Sequence, residues 1–344
     1  MTHEYRFIKA CRREPVDCTP IWLMRQAGRY MAEYRAIREK TPFLTMCKTP
    51  ELAAEVTLQP VNKLGVDAAI IFADILLPLE GMGIGFEFAA NEGPVIHEPV
   101  RSREQVDKVR LIDPDTDTGY VMEAIRLVRA ELEGKVPVIG FSGAPFTLAS
   151  YIVEGGGSRN YRHIKSLAYN DPGAYHLLLD KIADVCILYL KAQIRAGAHA
   201  VQLFDSWAGA MGPDDYEEFV LPHTAKVLKG ISGEVPVIHF AHGGSTLLEL
   251  VKQAGGDVIS VDWRIDLDEA WRTIGYEYAI QGNLDPVALF APVEEIGKRA
   301  KGILDRAEGR PGHVFNLGHG ILPETPVDHV KALVDVVHEY SSKA

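Results

Sequence analysis

The sequence predicts a single-domain (β/α)8 TIM barrel with an insertion between the second and third strands. Three observations predict it. Eight short apolar runs alternate with helical stretches along 344 residues. A helix–glycine–turn–strand–acid unit recurs along the chain. The length beyond the ~250 residues of a typical barrel collects in two places: an N-terminal extension over about residues 1–19, and residues 75–135.

The runs cover residues 20–24, 68–72, 136–142, 200–206, 236–241, 258–263, 278–284 and 313–319. Each is nearly continuously apolar, as parallel strands covered by helices should be. Thr49-Pro50-Glu51 opens a helix that should stop at Gly65, Asp171-Pro172 opens one that runs to about Gly197, and Thr325-Pro326 opens the last. The repeat reads Leu64-Gly65-Val66-Asp67 before the second run, Ala196-Gly197-Ala198-His199 before the fourth and Ala254-Gly255-Gly256-Asp257 before the sixth. The glycines suit a left-handed helix end. Within the insertion, residues 83–88 and 93–95 suggest a hairpin, followed by a helix over about 117–133. A two-domain doubly wound sheet is the structural alternative, but no linker composition divides the chain.

Bulk properties exclude several function classes. With 36 basic and 47 acidic residues the net charge is -11, and no Lys/Arg-rich run offsets it, which argues against nucleic-acid binding. The four cysteines form no CxxC pair and read as reduced thiols of a cytoplasmic protein. No run approaches transmembrane length, and the first residues lack a signal-peptide core, so no membrane association is expected. There is no GxxxxGK[ST] loop, no HExxH and no GxSxG.

Barrel chemistry sits at the C-terminal ends of the strands. Those ends carry Arg25 and Arg29, Asp74, Ser142, Asp205 and Ser206, His239 and His242, Asp262 and Arg264, Asn283 and Asp285, and His319. The paired arginines around Gly28 look like an anion site, which an acidic protein needs locally to hold an anionic ligand. Asp74 lies amid apolar sequence and requires a partner. A structural salt bridge to Arg25 or Arg29 is the main rival to a catalytic role. Asp262 and Asp285 read as loop acids or arginine partners, and His239 and His242 as core or supporting histidines. His319, between two glycines, reads as a ring exposed at the barrel mouth.

Arg25-Gln26-Ala27-Gly28-Arg29-Tyr30 resembles the N-terminal signature of the uroporphyrinogen decarboxylase family. Gly140-Phe141-Ser142-Gly143-Ala144-Pro145-Phe146-Thr147-Leu148, continuing to Tyr151 and Glu154-Gly155, resembles its second signature. The segments at 71–76, 281–286 and 316–320 also match in family order. One departure is Ala32, where many members carry proline. The resemblance implies a (β/α)8 barrel, commonly a homodimer, that uses no metal or organic cofactor. It would remove carbon dioxide from the four acetate side chains of uroporphyrinogen III, giving coproporphyrinogen III on the route to haem and related tetrapyrroles.

By the same resemblance, Asp74 would stabilise a transiently cationic pyrrole ring, and Arg25 and Arg29 would grip substrate carboxylates. Gln26, Ala27, Gly28 and Arg38 would join the substrate contacts, and Tyr151, Ser206 and His319 would hydrogen-bond carboxylates. The proton donor stays open between an arginine-bound water, Tyr151 and an arginine. Two other readings compete. One is a zinc-dependent corrinoid methyltransferase, whose His-x-Cys ligands are replaced here by His239-Phe240-Ala241-His242. The other is a non-catalytic tetrapyrrole carrier.

Overall fold

Seven of the eight predicted runs become neighbours in one curled parallel sheet. The computed structural model describes residues 5–89 and 93–342. The sheet strands are β1 (Ala69–Ile70), β4 (Val138–Gly143), β5 (Ala200–Asp205), β6 (Val237–Ala241), β7 (Val258–Ser260), β8 (Ala279–Leu284) and β9 (His313–Leu317), hydrogen-bonded in that order. All seven are buried, as their apolar sequences require. Between β1 and β4, β2 (Phe86–Ala89) pairs antiparallel with β3 (Gly93–Ile96), and a helix covers Gly119–Leu132.

The first run departs from expectation. Residues 20–24 do not form a strand; Ile21 alone makes an isolated parallel bridge to Phe315 of β9. The reason lies in where the amides go. Pro20 has no N–H, Leu23 N donates to Gln26 Oε1 at 3.0 Å, and Met24 N donates to Asn316 Oδ1 at 3.1 Å. Side chains therefore take the bonds a ladder would have used. The second run is also shortened, because Phe72 N donates to Thr57 Oγ1 at 2.8 Å.

Helix ends follow the sequence signals. Pro50–Leu64 stops at Gly65 and Pro172–Ala196 at Gly197, both glycines left-handed. Asp171 caps the latter by accepting from Ala174 N at 2.9 Å. The last helix, Val327–Ser341, begins one residue after Pro326. Of the N-terminal extension, residues 1–4 lie outside the described residues, and Arg6–Cys11 is helical. Among the described residues no helix is long and apolar enough to cross a membrane. All four cysteines are buried and free.

Polar side chains stitch the inside of the sheet. Gln281 of β8 donates to Gln202 of β5 at 3.1 Å and to Ser260 of β7 at 2.9 Å, and it accepts from the Trp22 indole at 2.9 Å. Trp22 therefore ties residues 20–24 to the sheet interior. Ile21 is fixed from the other side: its N–H donates to Asp67 Oδ2 at 2.7 Å, and its carbonyl accepts from Asp67 N at 2.8 Å. The chain leaving this anchor carries Arg25.

Candidate active site

A cavity of about 400 Å3 opens at the C-terminal ends of the sheet strands. Arg25, Ala27, Gly28, Arg29, Asp74, Tyr151, Ser206 and His319 all line it. Eight of the ten substrate contacts that the resemblance implied thus converge on one space. The other two do not. Gln26 is fully buried, and its amide donates to Ala68 O at 3.0 Å. Its side chain shapes the turn instead of facing the cavity. Arg38 lies outside, on a neighbouring groove with Phe43 and Phe88, and donates to Thr41 O at 3.1 Å.

The turn that presents Arg25 is rigid. Gln26 bonds both Leu23 N and Ala68 O, and the Tyr30 hydroxyl donates to Gln26 O at 2.6 Å. Arg25 itself adopts a left-handed backbone, φ 60°, a conformation that non-glycine residues hold only when their surroundings fix it. Gly320 makes room for its side chain, since a Cβ there would lie 2.4 Å from Arg25 Cδ.

Among the described residues, the guanidinium groups of Arg25 and Arg29 make no hydrogen bond or ion pair within the protein. The same holds for the Tyr151 hydroxyl, the Ser206 hydroxyl and the hydrogen-bonding groups of the His319 ring. Asp74 spends one oxygen on Leu76 N at 2.9 Å and keeps the other free. Arg25 and Arg29 are exposed, so their guanidinium groups face solvent at the rim, while Asp74, Tyr151, Ser206 and His319 are half-buried with bonding capacity that a ligand or water can complete. Here they converge on a largely apolar space, which is how a ligand site is built.

Burial sets the charge states. It pushes the Asp74 carboxyl up to about 6, against the Leu76 amide and the field of Arg25. Burial, with the Asp74 charge nearby, pushes the Tyr151 phenol up to about 12, so it remains an O–H donor. Burial, reinforced by His242, Arg25 and Arg264, drives His319 down to about 3, so it presents a neutral imidazole.

The aromatic wall was not singled out from sequence. Phe141, Phe204 and Phe240, on β4, β5 and β6, line the cavity, with successive ring centroids 5.6 and 5.8 Å apart, edge to face. The available signal was an aromatic near the end of three consecutive strands. Tyr151 stacks on Trp207 with centroids 4.0 Å apart. His239 and His242 are not a matched pair. His239 points away from the cavity that its neighbour Phe240 lines, and its Nδ1 meets Gly255 O at 3.3 Å.

Comparison with known proteins decides the family. The family model described as Uroporphyrinogen decarboxylase (URO-D) matches residues 2–340. The chain belongs to the uroporphyrinogen decarboxylase family. The uroporphyrinogen decarboxylase of Carboxydothermus hydrogenoformans is 65% identical over 98% of this chain and 96% of its own. That of Sorangium cellulosum is 59% identical over 97% and 95%. Among solved structures, a methyltransferase from Methanosarcina mazei superposes with a TM-score of 0.79 at 22% identity, covering 97% of this chain and 98% of its own. That likeness is one of fold. It places the family's curled α/β sheet in TIM-barrel-like company.

Proposed function

We propose that this protein decarboxylates the acetate side chains of uroporphyrinogen III to give coproporphyrinogen III. The observation that carries the reading is the meeting of two unpaired guanidinium groups with a half-buried, half-free carboxylate in one aromatic-walled cavity. The arginines bind substrate carboxylates, bidentate where the fork geometry allows. Asp74 accepts the pyrrole N–H groups. Tyr151, Ser206 and neutral His319 add hydrogen bonds without adding charge.

Each decarboxylation needs an electron sink, and the substrate ring provides it. A proton adds to the ring carbon beside the acetate-bearing one, making the ring cationic. The bond to the carboxylate then breaks, and its electron pair flows into the ring as carbon dioxide leaves. A second proton converts the exocyclic methylene into a methyl group, and loss of the first restores the pyrrole. The net change is one proton taken up per carbon dioxide released. Asp74 lowers the energy of both cationic stages, because an anion preset in a water-poor site costs no reorganisation as charge develops.

The same reading makes Ile21 the eighth strand position of a single (β/α)8 barrel, supported by its bridge to β9 on one side and its bonds to Asp67 beside β1 on the other. It takes residues 75–135 as an insertion between the second and third strands, and the working unit as a cytoplasmic homodimer. The deciding experiment is anaerobic incubation with uroporphyrinogen III and no added cofactor, followed by chromatography of the oxidised products. Coproporphyrin is expected; uroporphyrin alone would overturn the reading.

A further inference from the structure

Behind the cavity, a chain of polar side chains runs outward from His319 and has no part in the chemistry above. The His319 and His242 rings meet edge to face, centroids 4.6 Å apart. Arg264 Nη1 lies 3.1 Å from His242 Nε2 and 2.8 Å from Asp262 Oδ2. We propose that His242 and Arg264 are positioning residues: Arg264 fixes His242 as the neutral Nδ1–H tautomer, and His242 fixes the ring of His319 and the backbone at Ser206.

The tautomer follows from what a guanidinium can do. Arginine has only donors. A contact from Arg264 to Nε2 therefore requires a lone pair there, which leaves the single ring proton on Nδ1. With Nε2 taken by Arg264, Nδ1 is the nitrogen left for the Ser206 backbone, whose hydrogen bond favours protonation of the ring. A protonated His242 would set N–H against N–H and cation against cation. Burial lowers its proton affinity further, Arg264 reinforces this, and Asp262 opposes it.

Arg264 is itself tightly held. Its guanidinium stacks on Trp263 at 4.4 Å, and its backbone N–H donates to Asp262 Oδ1 at 2.9 Å. Asp262 is 3% exposed and also accepts from Gly243 N at 2.6 Å. The anchor is therefore tied to both the β6 and β7 loops. His319 has no such bonds. Its ring makes aromatic contacts with His242 and with Phe240, the latter at 6.3 Å. The His242 ring is the nearer of the two and bears on the orientation of His319 in the cavity.

This inference rests on reading His319 and Ser206 as ligand contacts. The test combines ring 15N NMR of histidine-labelled protein with the pH dependence of turnover, in wild type, Arg264→Met and Arg264→Lys. The wild type should show His242 neutral with its proton on Nδ1 throughout the neutral range. Arg264→Met should mix the tautomers and restore titration of His242. It should also lower kcat by on the order of ten- to a hundred-fold, the cost of a misplacement of about 1 Å, and change the shape of the pH profile. Arg264→Lys, which keeps a charged donor, should recover part of both. A wild-type His242 protonated on Nε2 overturns the proposal even if the variants do not fold. An unaltered tautomer and pH profile in Arg264→Met overturn it as well. A wild type that turns over no uroporphyrinogen defeats the decarboxylase reading instead, and the substrate-free NMR result separates the two failures.

Discussion

Asp74 and Arg25 line the same cavity without bonding to each other. No Arg25 nitrogen lies within 4.0 Å of the Asp74 carboxylate, although its field acts on that group. A structural salt bridge would have consumed both charges. Kept apart, the pair offers an anionic centre and a cationic rim to one ligand. The cost is a carboxylate that burial destabilises in its ionised form.

Asp74→Asn should therefore separate activity from stability. The amide oxygen can still accept from Leu76 N, so folding should be preserved. Turnover should fall by about two decades or more, the scale of losing one preset electrostatic contact. Melting temperature at neutral pH should hold or rise, because a disfavoured charge is gone. In the wild type, kcat/KM should increase with pH through about 6, as free Asp74 ionises. Near-normal turnover by the variant would sink the assigned role.

Arg29→Ala should act mainly on binding. Its guanidinium has no partner among the described residues to lose, so folding should be unaffected. KM for uroporphyrinogen should rise by about tenfold or more, equivalent to one charge-assisted hydrogen bond of about 1.5–3 kcal/mol. Unchanged steady-state kinetics would show that the residue is not an anion clamp.

Gly320→Ala tests the fit around Arg25 without touching a charge. The added methyl would meet Arg25 Cδ at 2.4 Å, closer than real carbon atoms approach, so the arginine must move. Binding should weaken in the manner of an Arg25 variant, while the melting temperature changes by a few degrees at most. A crystal structure of the variant with Arg25 unmoved, or an unaltered KM, would count against this.

Asp205 gives a pH effect on stability. Burial pushes its carboxyl up to about 7; Thr147 Oγ1 donates to one oxygen at 2.8 Å, and the other is buried without a partner. A carboxyl whose folded value exceeds its ordinary 3.8 binds a proton in the folded state that the unfolded chain has lost. Stability should thus fall as pH rises from about 4 to 7, by on the order of a few kcal/mol. Asp74 should add to the lower part of that window, up to about 6. Asp205→Asn retains the acceptor for Thr147 and should flatten the profile measured by thermal melts between about pH 5 and 8.

Sequence made the strand ends legible because parallel strands are apolar and their polar ends stand out. That was enough to gather Arg25, Arg29, Asp74, Ser206 and His319 before any coordinates, while Tyr151, on helix Pro145–Glu154, came only through the family resemblance. Where side chains point, and where helices end, is less legible. Gln26 sits inside a signature of ligand contacts, yet its amide bonds Leu23 N and Ala68 O. Arg38 falls on another groove because its helix, Ala32–Arg38, ends beyond the cavity edge. The Arg264–His242 contact spans 22 positions and two loops, and no local pattern encodes such a distance. Run 20–24 failed as a strand because its amides found Gln26 and Asn316, a choice that apolar character alone does not reveal.

Asp67 makes the fold's anchor for Arg25 testable. Its side chain is 10% exposed and serves three partners: Ile21 N, Arg6 Nη1 and His338 Nε2, each at 2.7 Å. One carboxylate thus joins the first turn of the N-terminal extension, residues 20–24 and the last helix. Asp67→Ala would leave the Ile21 N–H without its acceptor, at a cost of about 1–3 kcal/mol. The lost Arg6 ion pair adds less, since Arg6 is 31% exposed. Hydrogen exchange at the Ile21 amide should accelerate, and KM should rise because Arg25 lies four residues along the loosened segment. Asp67→Asn keeps an acceptor for Ile21 and should restore KM more fully than melting temperature. If both variants lose stability while KM stays at the wild-type value, the segment from Ile21 to Arg25 is held without the Asp67 carboxylate, by Trp22, Gln26, Asn316 and the bridge to Phe315.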